Sequence, residues 1–216
     1  MARMKIAILV SGRGSNMQAI LEAAATSSFP AEVAVVISNI EGAPALERAE
    51  ACGIKTVTIR HKDYADRESF DQRVTEEIQT AGCELVVLAG FMRLLSEAFC
   101  ETWRDRLINI HPSLLPSFKG LDVHARMIAS GVRFGGCTVH YVRQEMDTGP
   151  IIVQAAVPIH SDDDADTLSA RILEQEHLIY PLAVKWIAEG RVRITGETVR
   201  VSGVSSPDGA LINFLD

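Results

Sequence analysis

Between residues 5 and 110, short runs rich in Val, Ile and Leu alternate with helical patterns, and this alternation limits the fold more than any other feature. The apolar runs are Lys5–Val10, Glu32–Ser38, Lys55–Ile59, Glu84–Ala89 and Leu107–Ile110. Runs of this kind suit strands covered on both faces. Helices are expected near Asn16–Thr26, Pro44–Cys52, Tyr64–Thr80 and Ser96–Arg104. In the second of these, Pro44 near the first turn and Gly53 just past the end follow the usual asymmetry of helix termini. Such a series closes through right-handed crossovers into a parallel sheet. After His111 the pattern changes. Pro112-Ser113-Leu114-Leu115-Pro116-Ser117 is irregular, because each Pro removes a donor and restricts the residue before it. A short helix is expected over Leu121–Ser130, with strands over Gly136–Val142 and Ile151–Pro158. A long helix over Ala165–Ala188 follows, then a hairpin of Arg191–Thr195 with Thr198–Val201. In that long helix Leu168, Ile172, Ile179, Leu182 and Trp186 form an apolar stripe read as core. The fold class is α/β: an open, mostly parallel twisted sheet with flanking helices, Rossmann-like, and antiparallel strands in its C-terminal part.

Composition removes several functions. The 216 residues carry 28 acidic and 21 basic side chains, a net charge of −7, and are 47% apolar. That is too apolar for disorder and too acidic for a general nucleic-acid binder. No apolar run approaches the ~20 residues of a membrane span. Neither nucleic acid nor membrane is therefore an expected partner, and an anionic ligand would need a local pocket. The apolar start ends at Ser11-Gly12-Arg13 without a cleavage site, so it reads as a strand and not a signal peptide. Cys52, Cys83, Cys100 and Cys137 are scattered, which points to buried reduced thiols in a cytoplasmic protein and away from zinc or disulfides. Asp162-Asp163-Asp164, just before the long helix, reads as a cap on its positive end and not as a metal site. His140 and His177 read as packing residues, and His61, His124 and His160 as surface or loop residues.

Three places can carry chemistry. Ser11-Gly12-Arg13-Gly14-Ser15-Asn16 lies between a strand and a helix, where free N–H groups can hold a phosphate. It is neither a dinucleotide fingerprint nor a P-loop, and alone it is equally compatible with a structural turn. In Asn109-Ile110-His111-Pro112, residues two apart on a strand share a face, so Asn109 and His111 can act on one carbonyl. A satisfied structural pair fits those residues as well. Asp147, ahead of Gly149-Pro150, suits a turn whose side chain bonds its own backbone. Facing His111, it would instead favour the protonated imidazole and help collect a proton from an attacking amine. Asn, His and Asp together suit acyl transfer without a covalent nucleophile.

These segments resemble the glycinamide ribonucleotide formyltransferases, folate-dependent enzymes of purine synthesis. The resemblance runs through Leu88-Ala89-Gly90-Phe91-Met92-Arg93, Asn109 to Pro116, Gly136-Cys137-Thr138-Val139-His140, Asp147 to Ile152, and Glu176-His177 with Tyr180-Pro181. It implies the formyltransferase fold as a single domain over 1–216, with an N-terminal phosphate-binding half to about 106 and a C-terminal folate and catalytic half from about 107. It implies Asn109, His111 and Asp147 as the catalytic trio. Gly14, Ser15, Asn16 and Glu176 would hold the ribonucleotide. Arg67, Met92, Arg93, Leu94 and Leu95, with Asn109 and the stretch Arg143, Gln144, Glu145, Met146 and Asp147, would hold the folate. Arg13 and the tail after Gly190 receive no role.

The implied co-substrate is 10-formyltetrahydrofolate, the acceptor is the amine of 5-phosphoribosylglycinamide, and no metal is required. The partners are small molecules, and the assembly is a monomer or homodimer. A formyltetrahydrofolate deformylase is the nearest rival, but the regulatory domain usual in that group has no room before Lys5. A methionyl-tRNA formyltransferase would need an RNA-binding domain and a basic surface. A non-catalytic nucleotide-binding module would have no use for the intact trio.

Overall fold

In the computed structural model, which describes residues 2–205, 208 and 210–213, seven strands form one sheet. Met1 and residues 214–216, the ends of the expected 1–216 domain, lie outside the described residues. The strands are β1 (Met4–Val10), β2 (Ala31–Ser38), β3 (Thr56–Thr58), β4 (Leu85–Leu88), β5 (Leu107–His111), β6 (Phe134–Tyr141) and β7 (Ile151–Pro158). Their order is β3-β2-β1-β4-β5-β6-β7. From β3 to β5 neighbours are parallel; β6 and β7 join antiparallel. The switch comes at β5, as the change of pattern at His111 suggests.

Six helices flank the sheet: α1 (Ser15–Ala24), α2 (Pro44–Ala51), α3 (Arg67–Thr80), α4 (Glu97–Thr102), α5 (Val123–Ser130) and α6 (Ala165–Ala188). Strands β8 (Val192–Thr195) and β9 (Thr198–Val201) form a separate hairpin. The apolar runs of β1 and β4 are buried on both faces, and two core clusters lie on opposite sides of the sheet. One gathers Ile6, Ile8, Met17, Ile20 and Val87 with Leu168, Ile172 and Tyr180 of α6. The other gathers Ala7, Leu9 and Val86 with Phe70, Val74 and Trp103 of the α3–α4 side.

Most expected boundaries move by one or two residues. Helix α3 moves by three, because the Asp66 carboxylate accepts from Ser69 N at 2.8 Å and starts the helix at Arg67, after a single 3₁₀ turn at His61–Asp63. At α6 the acidic run acts as a cap: Asp164 closes a capping box with Thr167, and Asp163 takes Arg171 at 2.6 and 2.8 Å. Two core expectations fail in part. Leu182, at the rim of the α6 stripe, is 36% exposed, and Cys52 is exposed while the other three cysteines are buried. All four thiols are free. Among the described residues no helix is long and apolar enough to cross a membrane, and no cluster of three acids, histidines or cysteines is placed to hold a metal.

Candidate active site

A cavity of about 370 Å³ opens at the carboxyl ends of the parallel strands, lined by Ser11 to Asn16, Ala89, Gly90, Met92, His124 and Glu176, among others. Its floor follows from β1 running into α1. Helix α1 begins at Ser15 with no side-chain cap, so its first-turn N–H groups are left for a ligand. Gly14 is required twice over: its φ is +75°, and a Cβ there would stand 2.6 Å from Ala45 Cβ. Ser11 ties three strand ends. Its hydroxyl donates to Asn39 Oδ1 at 2.6 Å and accepts from Met92 N at 2.8 Å, while its N–H donates to Gly90 O at 3.1 Å. From α6, the buried Glu176 accepts from Asn16 Nδ2 at 2.6 Å, and burial pushes its pKa up. Asn16 Oδ1 is buried without a partner. Tyr180, one turn on, fixes α6 by donating to Leu88 O at 2.7 Å.

Beside this cavity the sheet brings the predicted trio together. None of the three lines the cavity itself; Ile110 and Pro112, the chain neighbours of His111, do. Asn109 and His111 share a face of β5. The loop leaving β6 folds back, so that Asp147 Oδ1 stands 3.4 Å from His111 Nδ1. The other oxygen, Oδ2, accepts from Gly120 N at 2.7 Å. His111 Nε2 donates to Phe118 O at 3.0 Å. An acceptor thus faces each ring nitrogen of His111. Asp147 has φ +51°, tolerated by Asp and Asn better than by most residues. Gly149 has no substitute: a Cβ would stand 2.2 Å from Tyr141 O.

Asn109 has a further neighbour. It pairs in register with His140 of β6, and its Nδ2 lies 3.4 Å from His140 Nε2. His140 Nδ1 faces Tyr141 O at 2.9 Å and Thr148 O at 3.2 Å, and burial pulls the pKa of the ring down.

The expected folate residues divide. Met92 and Leu94 are exposed, as is Met146, and a Cβ on Gly120 would lie 3.5 Å from Met146 Cε. Met92 lines the cavity beside Ile110 and Pro112, and Met146 directly precedes Asp147. Arg93 is exposed beside them, and Leu95 packs against the second core cluster. Arg67 stands at the start of α3, close enough for its charge to act on the buried Asp71, which accepts from Ser96 N at 2.6 Å and so anchors the end of the 92–95 segment. Gln144 reaches Glu97 and Glu145 reaches Lys119. Arg143 does not turn to the pocket. Its guanidinium meets Asp105 at 2.8 Å and Glu197 of the hairpin at 3.5 Å.

Residues 4–184 match the family described as formyl transferase. The chain belongs to the formyl transferase family. Phosphoribosylglycinamide formyltransferase of Escherichia coli (strain K12) is 43% identical over 94% of this chain and 96% of its own length. The trifunctional purine biosynthetic protein adenosine-3 of Drosophila pseudoobscura pseudoobscura is 49% identical over 90% of this chain, which spans only 14% of that protein. Glycinamide ribonucleotide transformylase 1 of Symbiobacterium toebii superposes with a TM-score of 0.90 at 44% identity, covering 92% of this chain and 94% of that one.

As a formyl transferase the chain carries site features that its sequence hides. His124, expected at the surface, is half-buried, lines the cavity, and has Nε2 buried without a partner. It stands in the second position of α5, and α5 packs on α6. His140, expected to be packing, meets Asn109. Asp71 and Glu197 act on Ser96 and on Arg143 from elements distant in the chain. Only the strand pattern around His140 hinted at any of these, since it placed that residue in a strand.

Proposed function

We propose that this formyl transferase moves the formyl group of 10-formyltetrahydrofolate to the amine of 5-phosphoribosylglycinamide. The observation that carries the reading is the His111–Asp147 contact at 3.4 Å beside Asn109, adjoining a cavity that begins at the uncapped start of α1. The continuous pairing of β4, β5 and β6 supports treating the halves about 1–106 and 107–216 as one unit.

The reaction is written from the residues. The acceptor phosphate sits on the N–H groups of Gly14, Ser15 and Asn16, and Glu176 accepts from its sugar; both fix the amine relative to the formyl carbon. The amine nitrogen bonds to that carbon and the carbonyl oxygen becomes an oxyanion. Asn109 Nδ2 and His111 donate to it, the second by giving up its bond to Phe118 O. Asp147 holds the imidazole in place and relays the proton lost by the amine to the folate nitrogen as the carbon–nitrogen bond to the donor breaks. Arg67, Met92 to Leu95 and residues 144–147 hold the folate. Arg143 anchors the loop from behind. The reading carries with it a reducing cytoplasmic compartment, which suits four free thiols.

The test is a spectrophotometric assay of tetrahydrofolate release, run with and without the ribonucleotide. Release only with acceptor present supports the reading. Formate released with no acceptor would replace it with a deformylase.

A further inference from the structure

We infer that His140 is a positioning residue that holds the Asn109 amide with its amino group turned to the reacting carbonyl, and that ties this donor to the end of the 143–149 loop. The inference rests on the transfer reading above and assigns a role to a side chain outside the trio.

The tautomer follows from contacts. Two backbone carbonyls, Tyr141 O at 2.9 Å and Thr148 O at 3.2 Å, face His140 Nδ1, and a carbonyl can only accept. Nδ1 therefore carries the hydrogen. The residue is 1% exposed, and its burial keeps the ring neutral, so Nε2 is left with a lone pair and no hydrogen. The group of Asn109 that faces Nε2 at 3.4 Å must then be the amino group. An amide nitrogen has two hydrogens; one goes to His140 and the second remains for substrate oxygen. Without His140, nothing at this contact distinguishes the amide's amino end from its carbonyl end. A carbonyl end turned to the cleft would repel an oxyanion. The same ring holds Thr148 O, next to Asp147, so the oxyanion donor and the carboxylate beside His111 are set by one imidazole.

Two variants separate positioning from folding. In His140→Asn the side-chain amide nitrogen can take the place of Nδ1 and keep the backbone carbonyls bonded, but it offers Asn109 no acceptor. In His140→Gln the side-chain oxygen reaches the place of Nε2 and restores that acceptor. His140→Asn should keep the wild-type Tm closely and both KM values, yet lower kcat about tenfold or more, bounded by the ~10²–10³-fold cost of removing an oxyanion donor. His140→Gln should recover several-fold of that loss. In a double-mutant cycle, Asn109→Ala with His140→Asn should be no slower than Asn109→Ala alone. The inference is overturned if His140→Asn keeps at least half of wild-type kcat, if its losses multiply with those of Asn109→Ala, or if the loss appears in folate KM alone. Should Asn109→Ala itself leave kcat unchanged, the transfer reading of Asn109 fails, and with it the inference; a slow Asn109→Ala beside a normal His140→Asn rejects the inference alone.

Discussion

The two sides of the cleft are built by different means. On the parallel side the cavity opens on backbone N–H groups at the start of α1, beside a glycine that packs against Ala45, with the side chains of Ser11, Asn16 and Glu176 around them. On the antiparallel side the groups are side chains, His111, Asp147, Asn109 and His140, held over segments where Phe118, Asp122 and Asp147 all take positive φ. A phosphate carries a lasting charge, which oriented N–H groups meet without titrating. A proton in transit needs groups that can hold and release it, and only side chains do so. The difference predicts that damage on the parallel side appears in acceptor binding and damage on the antiparallel side appears in turnover.

The largest effect should come from Asp147→Asn. Asn accepts the left-handed backbone of that position, so the loop survives while the charge beside His111 is lost. Turnover should fall about 10²–10³-fold, on the scale of a lost oxyanion donor. Calorimetric affinity for the ribonucleotide should stay put; a variant with near-normal kcat would erase the contrast between the sides.

Next comes a matched pair of glycines. Gly149→Ala drives a Cβ to 2.2 Å from Tyr141 O, where backbone must move, and should lower kcat together with Tm. Gly14→Ala drives a Cβ to 2.6 Å from Ala45 Cβ and should raise acceptor KM about tenfold, with strain of about 1–3 kcal/mol in its backbone. If both variants change the same kinetic constant, the division of labour is wrong.

Glu176→Gln should have a smaller effect, and the size of its effect on stability depends on pH. Burial raises the pKa of Glu176 in the folded chain above its ordinary value of 4.5. The folded state therefore binds the proton more tightly than the unfolded state. The penalty is absent below about 4.5, where both states are protonated, and grows as pH rises through the folded value. Melting curves should show Glu176→Gln gaining Tm relative to wild type at pH 8 and not at pH 4, while acceptor KM rises several-fold. An equal Tm difference at both pH values would refute the buried charge.

The smallest effect belongs to Glu197→Gln. Its carboxylate is 62% exposed and meets Arg143 at 3.5 Å, and exposed ion pairs contribute about 0–1 kcal/mol. A slight rise in folate KM with unchanged acceptor KM would place the hairpin on the donor side of the comparison; any change in acceptor KM would remove it from that side.

The sheet was legible because covered strands announce themselves by runs such as Ile6 to Val10, and α6 because its stripe and cap fall at both levels of reading. The loop at Gly14 and the Asn109–His111 pair were legible because each is a short stretch of chain whose residue types suit one chemistry. What stayed hidden depends on pairing between distant segments. The register that sets Asn109 against His140 is written in no local pattern, and neither is the fold-back that brings Asp147 to His111. The side-chain partners of Arg143 were hidden for the same reason: Asp105 and Glu197 are its neighbours only in space. His124 looked like a surface residue because nothing in its own helix shows that α5 will pack on α6.

The hydroxyl of Ser11 has one hydrogen, and Asn39 takes it. A lone pair of the same oxygen accepts from the amide of Met92. One oxygen atom thus sets the Ser11–Asn16 loop and the backbone at Met92 relative to each other.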